Sequence, residues 1–153
     1  MFSSVTFLVI LLLTMPVFAV PKPAKYHYTL ALLVAGIALT TAWSLRVLTG
    51  AEPIKEISLF TPAAGSQVVL VIDELSAFFI LVINFTVLVG FLYARGYLEP
   101  YRLKMNGLRF SIHYFSYLWL WLSMLMVVTI RDGLSFLIVW EIMALSSFFL
   151  VIF

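Results

Sequence analysis

One acidic side chain, Glu141, lies inside an apolar run that extends from Gly133 to Phe153 and contains no other ionisable residue. If this run crosses a bilayer as a helix, Glu141 lies about two turns past Gly133, roughly 12 Å into the hydrocarbon. A charged side chain at the centre of a span costs upward of about 2.5 kcal/mol, so an acid at that depth needs a partner, a proton or water. The residue type and its position therefore predict that Glu141 handles protons.

The helix that would contain Glu141 offers it no polar partner. Residues three, four and seven positions away share its face. In this sequence they are Leu134, Leu137, Ile138, Ala144, Leu145 and Phe148. Desolvation favours the protonated acid and a nearby cation favours the carboxylate, so a partner from another helix, or water, decides which form is present. The alternative is a protonated carboxyl that only joins helices together.

Two further titratable residues come at the start of apolar runs. Asp73 precedes one such run, and the sequence predicts that it caps the N-terminus of a helix, a structural role. His113 comes at the start of another run, where we expect an interfacial position; a minor proton path is the alternative. Asn84 lies within an apolar run, and we expect it to bond across helices rather than to bind a ligand.

The composition defines the class of protein that contains these residues. Hydrophobic residues make up 64% of the chain and charged residues 10%, whereas soluble domains average about 45–50% and about 25%. The chain is therefore predicted to be an integral membrane protein. It has no cysteine and two isolated histidines, which excludes disulfides and argues against a metal site. A net charge of +2 does not suggest nucleic acid binding.

The hydropathy pattern predicts an all-α membrane protein with five transmembrane helices in a single membrane domain, residues 1–153. The predicted spans are about 2–20, 28–48, 74–97, 113–130 and 133–153. The first run could instead be a signal peptide, since Val17, Phe18 and Ala19 resemble a cleavage site. However, no Lys or Arg precedes the run, which favours a retained span.

One substantial polar connection, residues 49–72, separates the second and third predicted spans. Two short β-type runs, at 57–60 and 67–72, flank Pro62 and Gly65, a pattern typical of two strands joined by a turn. The sequence predicts a β-hairpin here, with an irregular loop as the alternative.

The distribution of Lys and Arg predicts the orientation, because cytoplasmic loops are enriched in these residues. Six lie at the ends of spans on one predicted side and three on the other. The six are Lys22, Lys25, Arg95, Arg102, Lys104 and Arg109; the three are Arg46, Lys55 and Arg131. The N-terminus and the hairpin are therefore predicted to face outward.

Two segments resemble a known family. Residues 72–79, IDELSAFF, resemble the D-x-L-S-A-F-F segment that opens the third helix of the antiporter-like membrane subunits shared by respiratory complex I, energy-converting hydrogenases and multisubunit sodium/proton antiporters. Residues 136–152, FLIVWEIMALSSFFLVI, resemble the W-E-x-M-x-L-S-S-x-x-L-V signature of their fifth helix. The second segment is most similar to the branch of the family found in hydrogenase-4. Glu74 departs from the family's frequent glycine or proline at its position.

This resemblance implies that the chain is the N-terminal portion of a larger proton-translocating subunit in the cell inner (plasma) membrane. Glu141 matches the glutamate that the family pairs with a lysine on its seventh helix. That lysine does not lie in this sequence, so remaining helices of the subunit, in the same chain or in a separately encoded one, would supply it. The implied partners are the bilayer and the other membrane subunits of a hydrogenase or NADH:quinone oxidoreductase complex.

No cofactor site is expected in this chain, because it has no Rossmann fingerprint, no P-loop and no cysteine for iron–sulfur clusters. The chain would be a proton-pumping part of an oxidoreductase complex and not itself the catalyst. Two alternatives are a subunit of a multisubunit cation/proton antiporter and a structural membrane subunit that transports nothing.

Overall fold

Four long helices form most of the structure, a computed structural model that describes residues 14–51, 55–60, 68–99 and 106–152. A short 3-10 helix, Met15–Phe18, precedes the first of them. In chain order the remaining elements are α1 (Lys22–Leu48), β1 (Lys55–Phe60), β2 (Val68–Ile72), α2 (Glu74–Leu98), α3 (Gly107–Val127) and α4 (Gly133–Val151).

All four helices are long and apolar enough to cross a membrane, judged by length and composition. The predicted bounds of the third and fifth spans agree with α2 and α4 to within two residues. Helices α1 and α3 begin at Lys22 and Gly107, earlier than predicted, because a helix continues through polar residues beyond the apolar stretch that hydropathy detects. Most of the predicted first span lies outside the described residues.

The two strands pair in antiparallel fashion, with Lys55 opposite Ile72. Residues 61–67, where the turn was predicted, lie outside the described residues. Strand β2 also bonds to the connection between α3 and α4: the Val71 amide donates to the Thr129 carbonyl at 2.8 Å, and the Arg131 amide donates to the Val69 carbonyl at 3.1 Å. These bonds join the start of α2 to the start of α4.

The core of the described structure lies between α1, α2 and α3. The side chains of Leu33, Phe91, Leu118 and Trp121 are all almost completely buried there. Helix α4 packs against α3, and within α4 the buried residues are Val139 and Ser146. Most of the remaining α4 surface is therefore open to lipid or to other helices.

Gly36 allows α1 to approach α3 closely. A Cβ at this position would overlap the indole ring of Trp121. Replacing Gly36 with alanine should therefore lower the free energy of unfolding by roughly 1–3 kcal/mol, the usual cost of overpacking. Gly96 in α2 has open space around its Cα, so alanine there should be neutral or slightly stabilising, because alanine is the better helix former. Denaturation of both variants in detergent micelles checks this, and equal stabilities would contradict it.

Candidate functional site

Glu141 lies in the middle of α4 on the side that faces away from α3. Its side chain is exposed, and so are the six residues that share its face; they are Leu134, Leu137, Ile138, Ala144, Leu145 and Phe148. Val139 and Ser146, on the opposite side of the helix, form the buried contact with the rest of the chain. The described chain therefore presents Glu141 outward, at the centre of an otherwise apolar helix face.

The Glu141 carboxyl has no hydrogen bond or ion pair with any residue that the structure describes. The other acids at the described helices lie at helix ends: Asp73 and Asp132 are N-caps, Glu74 lies in a first turn and Glu99 is a C-cap. A lone carboxyl at mid-helix, inside a bilayer, requires a proton or a partner from outside this part of the chain.

Asp132 fixes the start of the helix that contains Glu141. Its carboxylate accepts hydrogen bonds from the Ser135 amide at 2.8 Å and from the Ser135 hydroxyl at 2.7 Å. These bonds lower the pKa of Asp132 and satisfy one of the free amides of the first turn. The sequence did carry a signal for this cap, namely the serine three residues after Asp132.

Asp73 caps α2, as predicted, and also forms an ion pair that the sequence did not predict. Its carboxylate accepts a hydrogen bond from the Ser76 amide at 2.7 Å and pairs with the Arg131 guanidinium. The Ser76 hydroxyl donates to the Val128 carbonyl at 2.6 Å. The hydrogen bonds from Ser76, together with the Arg131 charge, hold the pKa of Asp73 below its ordinary value of 3.8. Asp73 therefore positions the starts of α2 and α4.

Replacing Asp73 with alanine should lower the free energy of unfolding at pH 7 by about 1 kcal/mol, the usual value of an N-cap. Folding lowers the pKa of Asp73. Its carboxylate therefore stabilises the folded protein fully above the unfolded-state pKa, and this stabilisation is lost as the pH falls through the folded-state pKa. The difference from the native protein should therefore shrink below pH 3.8.

Unfolding in detergent micelles at neutral and acidic pH checks this prediction. Arg131→Gln is the matched control, because it removes the ion pair and leaves the cap intact. The Arg131 side chain is 55% exposed, and exposed ion pairs contribute about 0–1 kcal/mol. Arg131→Gln should therefore lose less stability than Asp73→Ala. Equal losses of stability in Asp73→Ala and Arg131→Gln would contradict the prediction. So would a stability loss in Asp73→Ala that does not change with pH.

A second polar group lies at a depth similar to that of Glu141, but inside the bundle. The Asn84 amide donates to Thr40 Oγ1 at 2.9 Å and to Thr41 Oγ1 at 3.0 Å, and Trp121 Nε1 donates to Asn84 Oδ1 at 3.0 Å. This confirms that Asn84 bonds across helices. Three polar residues, Thr40, Asn84 and Glu141, lie at similar depth. Each is roughly 12–15 Å along its helix from the end of the bundle that contains Asp73. The Asn84 network holds α1, α2 and α3 together and makes no bond to Glu141.

Lys25 is a residue whose surroundings the sequence pattern did not reveal. It was counted among the loop charges, but it belongs to the first turn of α1 and is 3% exposed. Its ammonium donates to the Val17 carbonyl at 2.8 Å and to Ser111 Oγ at 2.6 Å. The prolines at positions 21 and 23, typical of a helix start, were the signal that Lys25 lies within a helix. Lys25 joins the 3-10 helix to α1 and α3.

His113 lies in the second turn of α3, within the helix rather than at its start, and is partly buried. That turn is at the end of α3 remote from the connection to α4, so the structure does not bring His113 and Glu141 together. In the described ranges no three His, Cys, Asp or Glu side chains form a cluster that could hold a metal ion.

Comparison with known proteins adds no identification. No protein family model matches the chain, and no curated protein shows significant similarity to it. The family resemblance of residues 72–79 and 136–152 therefore stays a prediction.

Proposed function

We propose that this chain is a proton-translocating membrane subunit of a respiratory oxidoreductase complex of the hydrogenase or NADH:quinone oxidoreductase type, with Glu141 in the proton path. One observation supports the proposal most directly. Glu141 lies at mid-helix on an apolar face that no described residue covers, as a carboxyl would if its partner came from elsewhere in an assembly.

The chemistry follows from that position. A carboxylate facing hydrocarbon is costly, and a carboxylic acid is much less so. When a cation approaches from a neighbouring helix, the carboxylate becomes the favoured form and the proton leaves. A pair that titrates as one unit can thus accept a proton from one side and release it to the other as the charge nearby changes.

The finer architecture belongs to this proposal. The first span would cover residues 2–20 and bring the number of transmembrane helices to five. The N-terminus and the hairpin of β1 and β2 would face outward from the inner (plasma) membrane. The lysine partner of Glu141 would come from remaining helices of the same subunit, docked on the exposed face of α4. No cofactor would be bound by this chain itself.

The proposal is tested by Glu141→Gln in the assembled membrane complex, with proton pumping and complex assembly measured on the same preparation. Lost pumping with normal assembly supports it. Retained pumping with normal assembly contradicts it. Pumping that requires no hydrogen, NADH or quinone would instead identify a cation/proton antiporter.

A structural subunit that transports nothing is the second candidate, and the outward position of Glu141 favours it as well. A protonated carboxyl on that face could donate one hydrogen bond to a docked helix and do nothing more. In that case the complex with Glu141→Gln, which keeps a hydrogen-bond donor at this position, would assemble and pump normally. Glu141→Leu, which removes the donor, would weaken assembly.

A further inference from the structure

A cavity of about 110 Å³ opens where α1 and α3 begin and α2 ends. A water molecule needs roughly 10–15 Å³ by this measure, so the cavity can hold a group of several heavy atoms. Its polar and aromatic lining consists of Tyr26, His27, Arg95, Glu99, Phe110 and Tyr114.

Arg95 is the cation of this cavity, and ring stacking holds it in place. Its guanidinium carbon lies 5.2 Å from the centroid of the Tyr26 ring, and that ring stacks on Phe91 with 5.3 Å between centroids and 15° between planes. Glu99 lies one helical turn away, yet no ion pair between Arg95 and Glu99 forms. The N–H groups of Arg95 therefore have no acidic partner in the described part of the chain.

The surrounding helix ends add positive potential. Neither α1 nor α3 has an acidic residue in its first turn, and neither N-cap residue, Pro21 or Asn106, makes a side-chain cap hydrogen bond. The positive ends of both helix dipoles thus lie beside the cavity. Glu99 is the opposing charge in the lining.

We infer that this cavity binds the phosphate of an anionic phospholipid, with the Arg95 guanidinium donating to the phosphate oxygens. A guanidinium presents parallel N–H groups that match phosphate geometry. A lipid fits better than a free phosphate because Leu98 and Phe110 give the cavity apolar walls. Basic sites at the ends of membrane helices are typical of lipid headgroup recognition. The site is separate from Glu141 and does not depend on the proposed function.

The test measures lipid retention. The full-length protein is purified in detergent and titrated with phosphatidylglycerol or phosphatidylcholine, and bound lipid is counted by native mass spectrometry. Arg95→Gln should weaken phosphatidylglycerol binding at least about tenfold, as expected for the loss of a hydrogen bond to a charged group. Arg109→Gln is the matched control, because Arg109 lies at the same end of the bundle and outside this cavity. The affinity of this variant for phosphatidylglycerol should change less than about twofold.

A second variant keeps the proposal falsifiable if Arg95→Gln disturbs folding. Glu99→Gln removes the opposing charge and should strengthen phosphatidylglycerol binding about two- to fivefold. Equal retention of the two lipids by the native protein, or equal losses from Arg95→Gln and Arg109→Gln, overturns the inference. Glycerol 3-phosphate that binds as tightly as phosphatidylglycerol would assign the cavity to a soluble phosphate and overturn the lipid assignment.

Discussion

The proposed function predicts that proton pumping by the assembled complex falls roughly a hundredfold when Glu141 is replaced by glutamine, the lower range for loss of a positioned proton-transfer group. Glutamine has nearly the same volume as glutamate and keeps a hydrogen-bonding head, so helices that dock on the face of α4 should still dock. It cannot bind and release a proton at physiological pH. Pumping is therefore lost while assembly is retained.

The measurement is acidification by inverted membrane vesicles, normalised to the amount of complex that purifies intact. Glu141→Asp keeps a titratable group and should retain part of the rate. Asp73→Asn is the control for a general loss of acid charge: it should leave pumping per assembled complex nearly unchanged, because Asp73 acts at the starts of α2 and α4. Equal loss of pumping in Asp73→Asn and Glu141→Gln would show that the two acids have been ranked wrongly.

Replacing Trp121 with alanine should lower the free energy of unfolding by about 3–5 kcal/mol, the range for large-to-small substitutions in cores. Trp121 is fully buried in α3, packs against Gly36 of α1 and donates to Asn84 of α2. Its removal leaves a cavity at the meeting point of three helices and an unpaired amide oxygen on Asn84. Inside a bilayer, packing and such hydrogen bonds are the main forces that hold helices together.

Trp140 provides the matched control for this prediction. It is the same residue type in α4, but its side chain is 50% exposed, so Trp140→Ala should cost much less in the isolated chain. Thermal and denaturant unfolding of both variants in detergent micelles gives the comparison. Similar stabilities of Trp121→Ala and Trp140→Ala would show that the contact between α1, α2 and α3 does not stabilise the bundle.

Much of the helical framework could be predicted from local sequence because each signal is contained within a few residues. Long apolar runs predicted α2 and α4 closely, and an aspartate before such a run predicted the cap at Asp73. Helices α1 and α3 begin earlier than predicted, and α3 ends at Val127 and not at residue 130, since hydropathy detects apolar content and not the ends of helical hydrogen bonding. The bonds between Asp73 and Arg131 and between Trp121 and Asn84 join residues far apart in the chain, and no local signal specifies such pairs.

The sequence by itself determined that this protein has helices long and apolar enough to cross a membrane and that Glu141 lies near the middle of one of them, because composition and helical rise decide both. The tertiary structure decided which way that helix faces. An apolar helix without a polar side has no periodic signal to orient it, so only its packing on α3 through Val139 and Ser146 turns Glu141 outward. Packing among the 3-10 helix, α1, α2 and α3 buries Lys25 and brings Arg95 to a cavity, because contacts between helices, and not the order of residues, place charges relative to one another.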